Sequence, residues 1–352
     1  MPIRMKARSD AVLAVLLCLA GAAAPANAQS VEQFYKGRQV TMIVGTSPGG
    51  INDISARLVA RYLGKYIPGH PSIVVENQPG AGGIASANRL ANVYPRDGTV
   101  IAKLERAVPL LAIQGDPNVH FDPLALTWLG SLSSYARDAY LMLVMAKNPV
   151  TSVEELKKPG RPLTLGGDNA ASSNVIYATI ARDALHLNVK VVSGYTGAAP
   201  MFLAMQSGEI DGQVVGYSST RTGQRALWDQ HAFRALVQFG RKTRLADFSA
   251  VPTAYELADP AARSLLGFAD LQFFISLPFA AAPGVPAERA KALQEAFVDM
   301  CKDPAVLTDA QKLGIEMSPI DGPTVRAAVA QSAATPRDII ARYNAIVGKG
   351  RH

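Results

Sequence analysis

The chain has 352 residues, 49% of them apolar, with a formal net charge of +7 and two cysteines. That length exceeds one comfortable core, so two lobes are expected. The cations are scattered, with no run suited to a phosphate backbone, which disfavours nucleic acid as a partner. His70, His120, His186, His231 and His352 fall in neither a metal-ligand spacing nor a triad, so no metal and no cofactor are expected.

Arg4, Lys6 and Arg8 precede an apolar segment from Ala11 to Ala24 and then Ala26-Asn27-Ala28. A positive start, an apolar stretch shorter than the roughly 20 residues of a spanning helix, and an A-x-A site predict an export signal cleaved before Gln29. An N-terminal membrane anchor is the alternative. Cys18 follows the bulky Leu17, where a lipid-attachment motif wants a small residue, and it would leave with the signal. Losing Arg4, Lys6, Arg8 and Asp10 lowers the net charge by two, to about +5, a balance that at most steers anions to the surface. Cys301 then remains without a partner for an intramolecular disulfide, in an apolar helical context that suits buried packing.

Val40 to Val44 reads as a strand, followed by Gly45-Thr46-Ser47-Pro48-Gly49-Gly50-Ile51-Asn52-Asp53 and a helical pattern to Lys65. Ile73 to Asn77, the loop Gln78-Pro79-Gly80-Ala81-Gly82-Gly83 and a helix from Ile84 to Tyr94 repeat the plan. Two such units side by side point two helix N-termini at one crevice, where unpaired N–H groups and positive dipole ends favour an anion. Glycine supplies φ > 0 and leaves no Cβ between ligand and amide, although plain tight turns use the same residues. Neither loop is a nucleotide fingerprint, since both lack the Gly-Lys-Ser/Thr ending and the G-x-G-x-x-G pattern.

Gly45-Thr46-Ser47-Pro48-Gly49 matches the G-x-S-x-G elbow of serine hydrolases. The residue after the serine should donate an oxyanion-hole N–H, and Pro48 has none, so an exported hydrolase is a weak rival. Along the following helix Asp53, Arg57, Arg61 and Lys65 recur every four residues as one charged face, while Ile51, Ile54, Leu58 and Tyr62 mark the buried side. Asp53 either pairs in solvent or caps the anion site. As an acid beside a bound carboxylate, it better suits shaping the loop than touching the ligand.

At these residues the chain resembles the receptor (Bug, or TctC-like) proteins of tripartite tricarboxylate transporters. Ile43 to Arg57, with Ser47-Pro48-Gly49-Gly50 and Asp53, is similar to that family's first loop. Val74 to Gly83, followed by Pro95-Arg96-Asp97-Gly98-Thr99, is similar to its second. The resemblance implies an α/β fold like type II periplasmic binding proteins, with two Rossmann-like lobes joined by a two-crossing hinge. It also implies a periplasmic binding protein, not an enzyme, that closes on a small carboxylated solute and passes it to inner-membrane transporter subunits. A monomer is expected.

Farther on, Thr99 to Leu104 reads as a strand and Arg106 to Gln114 as a short helix. Glu105 and Arg106 sit at the strand end, where α/β ligands bind. The family more often has small polar residues there. The two form a weak surface ion pair in the bland reading, or Arg106 turns inward to meet the far end of the ligand. Tyr140 to Ala146 is a second-lobe strand, and Ser152-Val153-Glu154-Glu155 opens a helix with a capping box. Leu163 to Gly167 leads into Asp168-Asn169-Ala170-Ala171-Ser172-Ser173-Asn174 and an apolar helix to Leu187. Asn174 stands near the place of a family histidine.

Val189 to Ser193 precedes Gly194-Tyr195-Thr196-Gly197, which is similar to the family's tyrosine loop. Ile210 to Gly216 ends at Tyr217-Ser218-Ser219, where the hydroxyls of Ser218 and Ser219 either orient the solute or cap a helix. Arg221 and Arg225 more simply face solvent. Phe233 to Phe239 and Pro252-Thr253 return the chain toward the first lobe. Leu271 to Leu277 reads as a strand, Pro286 to Met300 and Pro304 to Leu313 as helices, and Gly322 to Val347 as two helices split at Pro336, all covering the first lobe's sheet.

The expected division is a signal over 1–28, lobe 1 over 29–132 and 256–352, and lobe 2 over 133–255. The expected ligand contacts are Thr46, Ser47, Gly49, Gly50, Asn52 and Asp53, then Gly80, Ala81, Gly82 and Gly83, with Arg106, from the first lobe. From the second they are Gly167, Asp168, Asn169, Ser172, Ser173 and Asn174, then Tyr195, Thr196 and Gly197, with Tyr217 and Ser218. A ligand-binding partner of a membrane sensor would carry the same sites without serving uptake.

Overall fold

The computed structural model describes residues 29–168 and 172–348. The proposed signal over 1–28 and the candidate contact Asn169 lie outside the described residues. The first four strands, β1 (Gln39–Val44), β2 (Ser72–Asn77), β3 (Val100–Lys103) and β4 (Thr127–Ser131), belong to one sheet. The next five, β5 (Tyr140–Met145), β6 (Leu163–Gly167), β7 (Val189–Ser193), β8 (Gly212–Gly216) and β9 (Phe233–Phe239), form a second. The last two, β10 (Pro278–Ala281) and β11 (Ile320–Asp321), return to the first. The strand orders are β11-β4-β10-β3-β1-β2 and β7-β6-β8-β5-β9, giving two α/β lobes.

Register places the loops. β1 runs parallel to both β2 and β3, and Val44 lies opposite Asn77 on one side and Lys103 on the other. The loops after all three strands therefore leave the sheet at one level, the carboxyl end where ligands collect in α/β folds. In the second lobe β6 is parallel to β7 and β8, so Gly167 and Ser193 end side by side. The chain passes from the first sheet to the second between Ser131 and Tyr140 and returns between Phe239 and Pro278. These connections are stitched together where Ser276 N donates to Ser133 O at 3.0 Å and Leu277 N to Ser131 Oγ at 3.1 Å.

Apolar packing continues through the junction. One buried cluster runs from Ala102, Leu104 and Trp128 in the first lobe through Tyr135 and Phe273 to Tyr177 and Phe239 in the second. The Phe273 ring lies 4.8 Å from Tyr135, 5.1 Å from Tyr140 and 5.3 Å from Tyr177, distances at which aromatic rings add to their area burial.

Four local expectations change. Leu271 to Leu277 is not a strand: Leu271–Phe274 is a helical turn continuing the Pro260–Ala269 helix, and the strand begins at Pro278. The β-prone side chains are overridden because the turn buries Leu271, Phe273 and Ile275 between the lobes. The Ser152 capping box yields only a 3-10 turn over Glu155–Lys157, cut short by Pro159 and Gly160. Ile51 is 47% exposed at the start of the Ile51–Leu63 helix, although Leu58 and Tyr62 are buried as expected. Finally, the Gly322–Ala333 helix does pack on β4, but the Arg337–Gly348 helix packs on the second lobe's Ser173–Asp183 helix and on Pro260–Ala269. Pro336 is the break that lets it turn away.

Candidate functional site

The two glycine loops touch. A Cβ placed on Gly45 would lie 2.8 Å from the Gly83 Cα, so the backbones at the ends of β1 and β2 pass with no room for a side chain. Gly82 and Gly83 hold φ of 61° and 92°, and Ala81 adopts φ 47°, a left-handed geometry that costs an L-residue roughly 1–2 kcal/mol. Each loop feeds a helix whose first residue follows a glycine: Gly50 before Ile51–Leu63 and Gly83 before Ile84–Asn92, neither with a side-chain cap. Gly197, before the Ala198–Ser207 helix of the second lobe, is likewise uncapped by a side chain.

Asp53 is an internal brace. It is 3% exposed, and its Oδ2 accepts from the Gly49 N–H at 2.9 Å and Arg57 Nε at 3.0 Å, while its Oδ1 accepts from Asn77 Nδ2 at 2.9 Å. Asn77 Nδ2 also donates to Thr46 O at 3.0 Å, tying the first loop to β2. Burial alone would raise the Asp53 carboxyl, but the bonds from Arg57, Gly49 and Asn77 outweigh it and hold it below its usual range. The pair with Arg57 and the loop-shaping role are as read from the sequence, but Asp53 is buried, not solvated, and the Gly49 N–H is turned to it.

β3 delivers charge to the same place. Lys103, 1% exposed, donates through Nζ to Asn52 Oδ1 at 2.7 Å and to Leu104 O at 2.6 Å. Burial pushes its ammonium down to about 7. Asn52 Nδ2 in turn donates to Glu105 Oε2, so Asn52 bridges a buried lysine and a carboxylate. Sequence reasoning missed Lys103, although a lone lysine in the apolar run Val100-Ile101-Ala102-Lys103-Leu104 was a usable signal.

Glu105 and Arg106 are not the surface ion pair of the bland reading. Arg106 turns toward the second lobe, its guanidinium 4.9 Å from the Phe273 ring centre and its Nη2 donating to Ser173 Oγ at 3.4 Å. Ser173 Oγ also donates to Gln272 Oε1 at 3.1 Å. Arg106 and Asp168 both act on the Tyr140 hydroxyl, which burial pushes above its ordinary value, so these two opposite charges flank one side chain. Among the described residues, Thr46 Oγ1 and Asp168 Oδ1 are buried at these strand ends without a hydrogen-bond partner.

The remaining second-lobe residues are mostly engaged within their own lobe. Asn174 Oδ1 accepts from Asp168 N, Ser172 Oγ and Val175 N, which makes it a loop clamp. Gly167 O accepts from Gly194 N at 3.1 Å and Tyr195 N at 3.2 Å, so Gly167 holds the tyrosine loop against β6. The Tyr195 hydroxyl donates to Glu209 at 2.6 Å. Thr196 is exposed, as is Ser47 in the first lobe. Gly80 O receives the Gly83 N–H at 2.9 Å.

Tyr217 packs between Trp228 and Phe248 and donates to Asp247, and it accepts from Arg221. Ser218 N and its hydroxyl donate to the buried Asp138, and Ser219 Oγ donates to Gly216 O. Tyr217 and Ser218 are thus engaged within the second lobe, but their hydroxyls do not cap the helix, which starts after Gly216 without a side-chain cap.

A family model described as "Tripartite tricarboxylate transporter family receptor" matches residues 56–344. The UPF0065 protein in the gbd 5' region of Cupriavidus necator is 28% identical over 253 residues, covering 70% of this chain and 72% of that protein. A TctC solute-binding protein from Polaromonas superposes with a TM-score of 0.69 at 20% identity, over 90% of this chain and 99% of that one. MatC from Rhodopseudomonas palustris, solved with bound malate, superposes with a TM-score of 0.55 at 21% identity, over 88% and 99%. Members of the matched family are periplasmic solute-binding receptors, not enzymes, and the chain belongs to it: it is a tripartite tricarboxylate transporter family receptor of the TctC type.

Proposed function

We propose that this receptor is exported by cleavage after residue 28, captures a small organic carboxylate between its lobes as a monomer, and delivers it to inner-membrane subunits of a tripartite transporter. The observation that carries the reading is the set of glycine-led helix starts at Gly50, Gly83 and Gly197, without side-chain caps, beside the cations Lys103 and Arg106. Unpaired amides and a positive dipole end attract a carboxylate without any dedicated side chain. The malate held by MatC is a ligand of the same chemistry in the same fold.

Lobe 1 is assigned residues 29–132 with most of 256–352, and lobe 2 residues 133–255, with the last helix resting on lobe 2. Amides around 46–53 and 79–84 hold the carboxylate, and loops 167–174 and 195–198 complete the cage on closure. Arg106 spans the gap, so it meets the ligand or its distal group in the shut form. Closure is then driven by contacts the ligand makes only when the lobes meet. The test is a thermal-melt screen of the mature chain against mono- and dicarboxylates, hydroxy acids and amino acids. A true ligand at about 100 times its Kd should add roughly 2.7 kcal/mol. A flat response to every acid would defeat the reading.

A further inference from the structure

A second concavity lies at the junction of the lobes. It is a groove of about 1040 Å³ bordered by Ser134–Ala136, Gly240–Thr243 and 334–336. The first two segments belong to the connections between the sheets, and the third joins the helix packed on β4 to the helix packed on the second lobe. Every stretch of chain that passes between the lobes therefore borders this groove. It also communicates with the cleft: Tyr135 lines it, and the Tyr135 ring lies 4.8 Å from Phe273, which carries the Arg106 guanidinium at 4.9 Å.

Its lining has a definite chemistry. Arg241, Lys242 and Arg263 all border it. Arg241 donates to the carbonyls of Asp138 and Thr243, Arg263 to the carbonyl of Tyr255, and Lys242 sits 6.0 Å from the Tyr255 ring centre. Among the described residues none of the three forms an ion pair. The acidic side chain in the lining, Asp270, is buried and accepts from the Tyr177 and Tyr255 hydroxyls. Phe274, 40% exposed, supplies an apolar wall. Lys242 lies near the buried Asp270 and Arg241 near Asp138, but among the described residues none of the three cations sits within ion-pair distance of a carboxylate, and with the exposed Phe274 ring they complement a molecule with an acidic head and an apolar body.

We propose that this groove is a second ligand site for an amphipathic organic anion, and that its occupancy is linked to the opening and closing of the lobes. A bound molecule touches all three connections, so any difference in their spacing between open and shut forms becomes a difference in affinity.

The site is tested by titrating the full mature chain with anilinonaphthalene sulfonate and following its fluorescence. One saturable site is expected, weakened by at least about tenfold in Lys242→Gln/Arg263→Gln. The charge-keeping pair Lys242→Arg/Arg263→Lys and the cleft variant Lys103→Met should leave it within about twofold. Lys242 and Arg263 are exposed, so circular dichroism of the glutamine pair should match the parent. Equal binding by the glutamine pair, or loss in Lys103→Met instead, overturns the site. Small-angle scattering with saturating dye should change the radius of gyration of the parent, and binding without that change overturns the linkage.

Discussion

Three helix starts on the covering layers and three at the cleft are built differently, although the covering helix Ala287–Met300, led by Pro286, also lacks a side-chain cap. Pro260–Ala269, Pro304–Lys312 and Gly322–Ala333 each begin after an aspartate, and Asp259, Asp303 and Asp321 each accept a backbone N–H from the first turn. Ile51–Leu63, Ile84–Asn92 and Ala198–Ser207 begin after Gly50, Gly83 and Gly197 with no side-chain acceptor. A carboxylate cap is the favoured solution at an ordinary helix start, usually contributing about 1 kcal/mol. Its omission leaves donors at the Gly50 and Gly197 starts for a carboxylate that arrives from outside, whereas at the Gly83 start the Ile84 and Ala85 amides already donate to Ala81 O and Gly80 O. The first lobe adds Lys103 beneath these donors and Arg106 across the gap, and it keeps Asp53 occupied by Arg57, Gly49 and Asn77.

The largest effect expected concerns the cation under the uncapped starts. An unfolded lysine keeps its proton to its ordinary value of 10.5, whereas Lys103 releases it near 7 in the fold. Between those values the unfolded state binds more protons, so stability should rise with pH, by about 1.4 kcal/mol per unit for this group. Urea melts at pH 7.5 and 9.5 should show that rise in the parent and lose it in Lys103→Met. The sign for the ligand is opposite: anion affinity should strengthen as pH falls through 7 and the ammonium regains its charge.

Giving a cleft helix the cap it lacks should imitate the ligand. Nothing lies within 4 Å of a Cβ on Gly50, so Gly50→Asp is sterically tolerated. Like-charge repulsion and the occupied donors should weaken carboxylate binding by about tenfold or more, measured by calorimetry, with stability changed by only a few tenths of a kcal/mol. The reciprocal change, Asp303→Ala on a covering helix, should cost about 1 kcal/mol in a urea melt and leave ligand affinity unaltered. An affinity loss in Asp303→Ala as large as in Gly50→Asp would erase the distinction between the two kinds of start.

The smallest effect is expected at Tyr217. Its hydroxyl is committed to Asp247 and Arg221, so Tyr217→Phe should change ligand affinity by less than about twofold, while a hydroxyl that contacts solute would cost more.

The apolar runs, the glycine loops and the helical periodicities of residues 39–94 were legible in the sequence because each rests on neighbours a few positions apart. Polar residues at the second lobe's strand ends were legible as loops but not as roles: the sequence does not say that Tyr195 turns to Glu209, or that Asn174 clamps the amides of Asp168 and Val175. Leu271 to Leu277 misled because a run of large apolar side chains looks the same in a strand and in a turn that buries most of them, here Leu271, Phe273 and Ile275.

What the sequence determined by itself was the order of strand, loop and helix, and a chemistry of loops poor in side chains at the strand ends, since backbone preferences are local. Tertiary structure alone decided that Lys103 lies beneath Asn52, that Arg106 reaches Ser173, and that the last helix crosses to the other lobe. Those outcomes depend on which strands become neighbours and on what burial does to a charge, and both are settled only when distant segments meet.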